Sequence, residues 1–276
     1  MLYNAFQVDW IFVDTVIIIL LFLLLLAVKI FKSTHRWRLS FSNEALESHS
    51  FPKPFGNSES NNIKVKHCNL VRNSSLCKQY ENYPLVLIIR KKFKKHLAKI
   101  LTEGLSSYGF NIINLKLQIK FDLSLNNAYD VIKFLLSRII DNFKNQDLIR
   151  NSDYIVLNLS RSVNPNREGV SDPNEIGYIA VNPRINKYNI GSLKEIFLNQ
   201  LQYPQLFYIF SKRNFFILKN NDLKYVNNEI GGNIINMANL ITLEKASRGF
   251  KYYETILLGI IIDIIENKLV KSTNHT

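Results

Sequence analysis

The stretch Ser152-Asp-Tyr-Ile-Val-Leu-Asn-Leu-Ser-Arg-Ser162 decides how the rest of the chain is read. Tyr154-Ile-Val-Leu157 is a short run of apolar, strand-forming residues, and Asn158-Leu-Ser-Arg-Ser162 follows it with the small polar residues of a turn. A run of this kind reads as a buried central strand that delivers side chains to one edge of a sheet. In open α/β sheets the carboxyl edge of the strands is where ligands bind.

Outward from this strand the pattern repeats. Pro84-Leu-Val-Leu-Ile-Ile89 is a continuous apolar strand, and Phe93, Leu97, Ile100, Leu101 and Leu105 recur at helical spacing after it. Tyr108-Gly109 ends that helix and opens a second strand, Phe110-Asn-Ile-Ile-Asn-Leu115. A helix is predicted over Ala128–Phe143, with Val131, Phe134, Leu135 and Ile139 on one face. Beyond the central strand come strands at Tyr178–Val181, Leu206–Phe210 and Leu240–Leu243. A helix at Ser192–Leu201 and a closing helix at Tyr252–Leu269 accompany them. A lead strand is expected at Ile63–His67. Alternating helices and near-continuous apolar strands define an α/β class: a mostly parallel sheet with helices on both faces.

The 276 residues are 47% hydrophobic, enough for one large core, and carry 35 Lys+Arg against 22 Asp+Glu, net +13. That balance favours anionic surfaces and says nothing about fold. The two cysteines, Cys68 and Cys77, have no ligand pair near them, so neither a metal site nor a disulfide framework is expected. No cofactor-binding motif occurs: Gly231-Gly232 sits in an Asn-rich loop and fits a turn better than a phosphate cradle.

Residues 10–31 are almost wholly apolar, centred on Val16-Ile-Ile-Ile-Leu-Leu-Phe-Leu-Leu-Leu-Leu-Ala-Val28, and a run of about 20 such residues spans a bilayer as a helix. They are read as one transmembrane helix, because the basic leader, shorter apolar core and small-residue cleavage site of a signal peptide are absent. Residues 1–15 hold Asp9 and Asp14 without a Lys or Arg, whereas Lys29, Lys32, Arg36 and Arg38 crowd the other flank. The expected orientation is an N-terminus outside and a cytoplasmic C-terminal domain. Residues 39–62, rich in Ser, Asn, Pro and Gly, are read as a linker, and 63–270 as the α/β domain.

At the level of strand ends the chain resembles the α/β-hydrolase superfamily. Pro84-Leu-Val-Leu-Ile-Ile89, Leu105-Ser-Ser-Tyr-Gly109 and Phe110-Asn-Ile-Ile-Asn-Leu115 look like its first core unit. Gly177-Tyr-Ile-Ala-Val-Asn-Pro-Arg184, Leu206-Phe-Tyr-Ile-Phe-Ser-Lys-Arg-Asn214 and Leu240-Ile-Thr-Leu-Glu-Lys-Ala-Ser-Arg-Gly-Phe250 are similar to its later strands. The resemblance spans residues 83–269 and implies a serine nucleophile, a histidine base, an orienting acid and an oxyanion hole of backbone N–H groups.

Position by position, this chain departs from that set. Ser160 stands at the nucleophile position, but Asn158 and Ser162 replace the glycines of the tight turn. Pro165, Gly169 and Pro173 interrupt the helix that should follow. Arg248 occupies the base position and stays protonated at any working pH, so it cannot accept a serine proton. Asn214 occupies the acid position and carries no charge. The histidines are at 35, 49, 67, 96 and 275, none near the later strand ends. Where an oxyanion loop is expected the chain reads Arg90-Lys-Lys-Phe-Lys-Lys95. The expectation is a catalytically degenerate, membrane-anchored binding or scaffold module. The alternative is an active serine hydrolase using Ser160 with an unorthodox base such as Lys245 or His96. A transferase holding a phosphorylated substrate has no motif behind it.

Arg90, Lys91, Lys92, Lys94, Lys95, Arg161, Arg213 and Arg248 all fall at or just past the carboxyl ends of strands. Their bland reading is solvated surface charge. Their sharper reading is a cationic rim for anionic lipid headgroups or a phosphorylated ligand. A nucleic-acid partner is not expected, since no recognised binding motif is present and the aromatics are spread through the core strands.

Overall fold

The computed structural model describes residues 10–37, 46–51, 63–76, 83–90, 94–119, 125–160, 172–183, 205–214, 216–217 and 239–270. Two compact units emerge, Met1–Phe41 and Ser42–Thr276. The first contains helix α1 (Trp10–Trp37), 28 residues that begin where the apolar run begins. Its side chains from 13 to 29 are described, and its leucines, isoleucines and Phe22 are exposed, Leu25 by 67%. Among the described residues no helix is long and apolar enough to cross a membrane.

The second unit is built on an eight-stranded sheet in the order β1-β2-β4-β3-β5-β6-β7-β8. The strands are β1 (Leu46–Ser50), β2 (Ile63–Asn73), β3 (Leu85–Arg90), β4 (Ile112–Ile119), β5 (Tyr154–Asn158), β6 (Glu175–Val181), β7 (Leu206–Ser211) and β8 (Leu240–Leu243). From β4 across to β8 every pairing is parallel, while β1–β2 and β2–β4 are antiparallel. Every residue of β3, β5 and β7 is buried, as continuous apolar strands in a parallel sheet must be when helices cover both faces.

Strand alternation distributes the two layers. Leu85, Leu87 and Ile89 join a core with Leu136, Ile139, Ile140 and Phe143 of α3 (Leu125–Asn145). The intervening Val86 and Ile88 are buried on the opposite face. There α2 (Lys95–Tyr108) lies against β2, β3 and β4 through Leu97, Ala98, Leu101 and Leu105, and also touches α4 (Glu254–Asp263). Two glycines make this geometry possible. Gly109, at φ 124°, donates to the carbonyls of Leu105 and Ser106 and turns the chain from α2 into β4, a backbone region hostile to side chains. A Cβ on Gly177 in β6 would lie 2.5 Å from Leu269, so the absent side chain admits the π-helical continuation of α4 (Ile264–Val270).

Two sequence expectations change, and a third is not tested. The stretch 39–62, whose composition reads as linker, contributes β1, paired antiparallel with Asn69–Asn73. Its Leu-Glu-Ser-His-Ser sequence hides this because polar cross-strand pairs hold it: Arg72 Nε donates to Glu47 at 3.1 Å and Asn69 to the Ser48 hydroxyl at 3.0 Å. The lead strand β2 runs to Asn73, well past the predicted His67. Asn73 then caps a turn by accepting from the Ser75 N–H and hydroxyl, at 3.1 and 2.6 Å. The helix predicted at Ser192–Leu201 lies outside the described residues.

Candidate functional site at the carboxyl edge of the sheet

The parallel strands β3, β5, β6, β7 and β8 end along one edge, and the sequence-predicted site residues divide there into two groups. The first surrounds Ser160. Leu159 donates its N–H to the Ile89 carbonyl at 2.8 Å, which prolongs the β5–β3 pairing past the last strand residue. The Ser160 N–H then donates to its neighbour's carboxamide, Asn158 Oδ1, at 2.7 Å. Asn158 Nδ2 donates in turn to the Tyr178 hydroxyl on β6, at 2.6 Å. Complete burial pushes the Tyr178 hydroxyl well above its ordinary pKa, opposed by the Asn158 bond, so it stays neutral. Asn158 and Ser160 are 1% and 2% exposed.

This is a side-chain-capped turn. A nucleophile elbow is strained so that it lifts its serine into the open. The described non-glycine residues with positive φ are Asp147, Asn182, Phe250 and Tyr252, and Ser160 is not among them. Asn158, in place of a glycine, supplies the bond that closes the turn without left-handed backbone. Residues 161–171, including Arg161 and the interrupted stretch after Ser160, lie outside the described residues. The described histidines belong to α1, β1, β2 and α2, not to the ends of β5–β8. His49 on β1 lies 3.5 Å from Glu47 and His96 on α2 is exposed.

The second group is cationic. Arg90, the last residue of β3, is buried, and its Nε donates to Asn114 Oδ1 at 3.2 Å. Asn114 Nδ2 continues to the Thr102 hydroxyl at 3.1 Å, so Arg90 is drawn into a polar chain linking β3, β4 and α2. Burial lowers its pKa. Lys94, at the start of α2, has its Nζ buried with no hydrogen-bond partner among the described residues. Burial lowers the Lys94 ammonium to about 8, with the positive charge of Arg248 adding to the effect. Lys95, Arg213, Lys245 and Arg248 are exposed, and Asn214 is buried. Lys91 and Lys92 lie outside the described residues.

Sequence reasoning missed Asn182. Directly after β6, fully buried and at φ 48°, it accepts from the Ser211 N–H at 2.8 Å and donates Nδ2 to the Arg248 carbonyl at 2.9 Å. Its own N–H donates to the Ile209 carbonyl at 2.8 Å. One side chain thus fastens the loop after β8 to the ends of β6 and β7. The available signal was Asn182-Pro183 straight after an apolar strand, since Asn tolerates left-handed backbone better than other non-glycine residues.

No family model matches the chain, and no curated protein matches it. Among solved structures, esterase B from Lactobacillus rhamnosis aligns with 95% of this chain and 98% of its own at 10% identity and a TM-score of 0.48. Vibralactone cyclase aligns with 85% of this chain and 84% of its own at 10% identity and a TM-score of 0.47. The acylaminoacyl peptidase of Pyrococcus horikoshii aligns with 83% of this chain and 42% of its own at 11% identity and a TM-score of 0.46. The fold is α/β-hydrolase-like, and that statement rests on the sheet order and helix layers above.

Proposed function

We propose that this chain is a membrane-anchored, α/β-hydrolase-like binding module that has given up the chemistry of its fold and uses the carboxyl edge of its sheet to hold an anionic partner. The observation that carries the reading is the Ser160 turn: its serine is buried and its N–H is tied to Asn158. The reading of Arg248 at the base position, which the sequence resemblance implies, supports it. An arginine cannot take the serine proton, and Asn214 at the acid position cannot orient a base by charge. The anchor is the apolar stretch of α1, whose exposed leucines and isoleucines are suited to lipid, with the basic flank on the cytoplasmic side.

A fragment beginning at Ser42, the start of the second compact unit, is predicted to bind vesicles containing anionic lipid and to release them as salt rises. Reversing Lys91, Lys92, Lys94 and Lys95 to Glu is expected to abolish that binding. Unchanged binding by the reversed fragment would sink the cationic-rim reading.

A further inference from the structure

The loops after β7 and β8 form one surface. Their strands are neighbours in the sheet, with Ser211 opposite Leu243, and a side chain fastens the loops together beyond that last pair. Asn182 accepts from the Ser211 N–H at 2.8 Å and donates to the Arg248 carbonyl at 2.9 Å. The β8 loop is also held by its own turns: Ala246 donates its N–H to the Leu243 carbonyl at 3.1 Å, Phe250 to that of Ser247 at 2.8 Å, and Tyr253 to that of Phe250 at 2.8 Å. Lys251 donates its N–H to the Ser247 hydroxyl at 3.1 Å. Phe250 is buried and Tyr252 is exposed, both on left-handed backbone at φ 56° and 69°. Bulky residues stay in that region only where the surrounding structure imposes it. The fold therefore fixes one ring in the core and the other outside.

Both loops expose apolar and cationic side chains side by side. After β7, residues 212–214 and 216–217 are helical, and Lys212, Arg213, Phe216 and Ile217 are exposed. Positions four apart share a helix face, which puts Lys212 with Phe216 and Arg213 with Ile217. After β8, Lys245, Arg248, Lys251, Tyr252 and, in the first turn of α4, Ile256 are exposed. Lys251 Nζ lies 5.0 Å from the centre of the Tyr252 ring. Phe216, Ile217, Tyr252 and Ile256 are 60%, 41%, 51% and 50% exposed. Among the described residues of the two loops, five exposed cations stand against one exposed carboxylate, Glu244, because Glu254 is buried. The helix that follows continues the pattern: α4 buries Leu257, Leu258 and Ile261, yet between Thr255 and Asp263 its outer side offers Ile256, Gly259 and the half-buried Ile260 and Ile262. The helix α2 shows the ordinary arrangement, with Lys95, His96 and Lys99 outside and Leu97, Leu101 and Leu105 inside.

We propose that this surface docks onto an anionic lipid bilayer, with Phe216, Tyr252 and Ile256 entering the headgroup region and the five cations around them meeting the lipid charge. This rests on the reading of the sheet edge as a surface for an anionic partner, and it names that partner and the part of the edge that meets it. Aromatic and aliphatic side chains ringed by Lys and Arg suit an interface, because the rings sit at the boundary while the long basic side chains reach the headgroups. The excess of cations over carboxylates selects an anionic leaflet. The apolar run of residues 16–28, read as an anchor, supplies a bilayer to the same chain.

The test uses the full chain reconstituted in vesicles, with Cys77→Ser leaving the buried Cys68 as the remaining native thiol and a nitrobenzoxadiazole label on Ile256→Cys. In vesicles containing phosphatidylserine the label should shift to the blue and be quenched by spin-labelled lipid, and in phosphatidylcholine alone it should do neither. The same label on Asn145→Cys, exposed at the end of α3 on the opposite edge of the sheet, should respond in neither lipid. Arg248→Gln with Lys251→Gln should lower the ratio of docked to free domain about 25-fold, at about fivefold for each cation near an anionic surface. Phe216→Ser with Tyr252→Ser should lower it about tenfold or more through lost apolar burial. All four side chains are exposed, so both double variants should melt with the parent, which separates a loss of docking from a loss of fold.

A label on Ile256→Cys that responds alike in the two lipids, or that is unaltered by both double variants, would overturn the docking surface. A blue shift that grows with protein concentration in detergent, without lipid, would overturn the bilayer as its occupant in favour of a second copy of the chain. Salt-sensitive binding of the Ser42 fragment to anionic vesicles with a silent label on Ile256→Cys would refute this surface and leave the anion-binding edge standing. A silent label together with a fragment that binds no vesicles would refute the reading beneath it as well.

Discussion

Two corners of the same sheet edge treat buried polarity in opposite ways. At the end of β5, Asn158 uses both ends of its carboxamide, one for the Ser160 N–H and one for the Tyr178 hydroxyl, and closes the turn on itself. At the start of α2, Lys94 has a buried ammonium with no hydrogen-bond partner among the described residues, and burial, with the charge of Arg248 adding to it, lowers its pKa. The turn that carries Ser160 is closed by its own carboxamide, while the start of α2 keeps an ammonium with no hydrogen-bond partner among the described residues. That difference is what the proposed binding role builds on, and the mutations below test it.

That contrast predicts mutations of opposite sign. The largest loss is expected for Asn182→Ala. It orphans the buried Ser211 N–H, frees the Arg248 loop and leaves a side chain at φ 48°, together about 3 kcal/mol by chemical denaturation. Asn158→Ala should cost about 2 kcal/mol by leaving the Ser160 N–H without its acceptor.

Lys94→Met should instead stabilise, by an amount on the order of 3 kcal/mol given a fall from 10.5 to about 8. The pH dependence gives the sign independently. Below about pH 8 Lys94 is charged in both folded and unfolded states, so the penalty is complete and the variant has its full advantage. Between about 8 and 10.5 the folded protein releases the proton first, wild type recovers, and the advantage should fade to nothing. A stability difference that is flat across that window would mean that the Lys94 ammonium is not buried unpaired. The smallest effect should come from Arg213→Gln, an exposed charge, within about 0.5 kcal/mol of wild type in the same denaturation assay.

The first compact unit offers a separate check on anchoring. Leu20→Lys and Leu24→Lys together place two charges in the middle of the apolar run, each costing about 3 kcal/mol or more at a bilayer centre. The variant should move from the membrane pellet to the supernatant on alkaline extraction, where the unaltered chain stays in the pellet.

The strands that were legible in the sequence are those whose burial requires continuous apolar residues. Leu85–Arg90, Tyr154–Asn158 and Leu206–Ser211 lie close to their predicted places because both faces of a central parallel strand are covered. Leu46–Ser50 was illegible because an edge strand held by Glu47, Ser48 and their cross-strand partners has the composition of a loop. At the site, residue types alone say that an arginine cannot act as a base and that an asparagine carries no orienting charge. They did not reveal that Arg90 turns into a polar chain through Asn114, nor that the Lys94 ammonium is buried with no hydrogen-bond partner among the described residues, since both depend on which way a side chain folds. The role of Asn182 was hidden for the same reason: its bonds reach Ser211 and Arg248, far along the chain.

The central claim is that Ser160 is inert, and labelling measures this most directly. The full chain in detergent, confirmed folded by its melting transition, would be incubated with a fluorophosphonate and its peptides read by mass spectrometry, with Ser160→Ala as control. The account predicts no adduct on Ser160 under conditions that label an ordinary serine hydrolase to completion. An adduct at Ser160, absent from Ser160→Ala, would contradict it and show that the turn capped by Asn158 still presents an activated nucleophile.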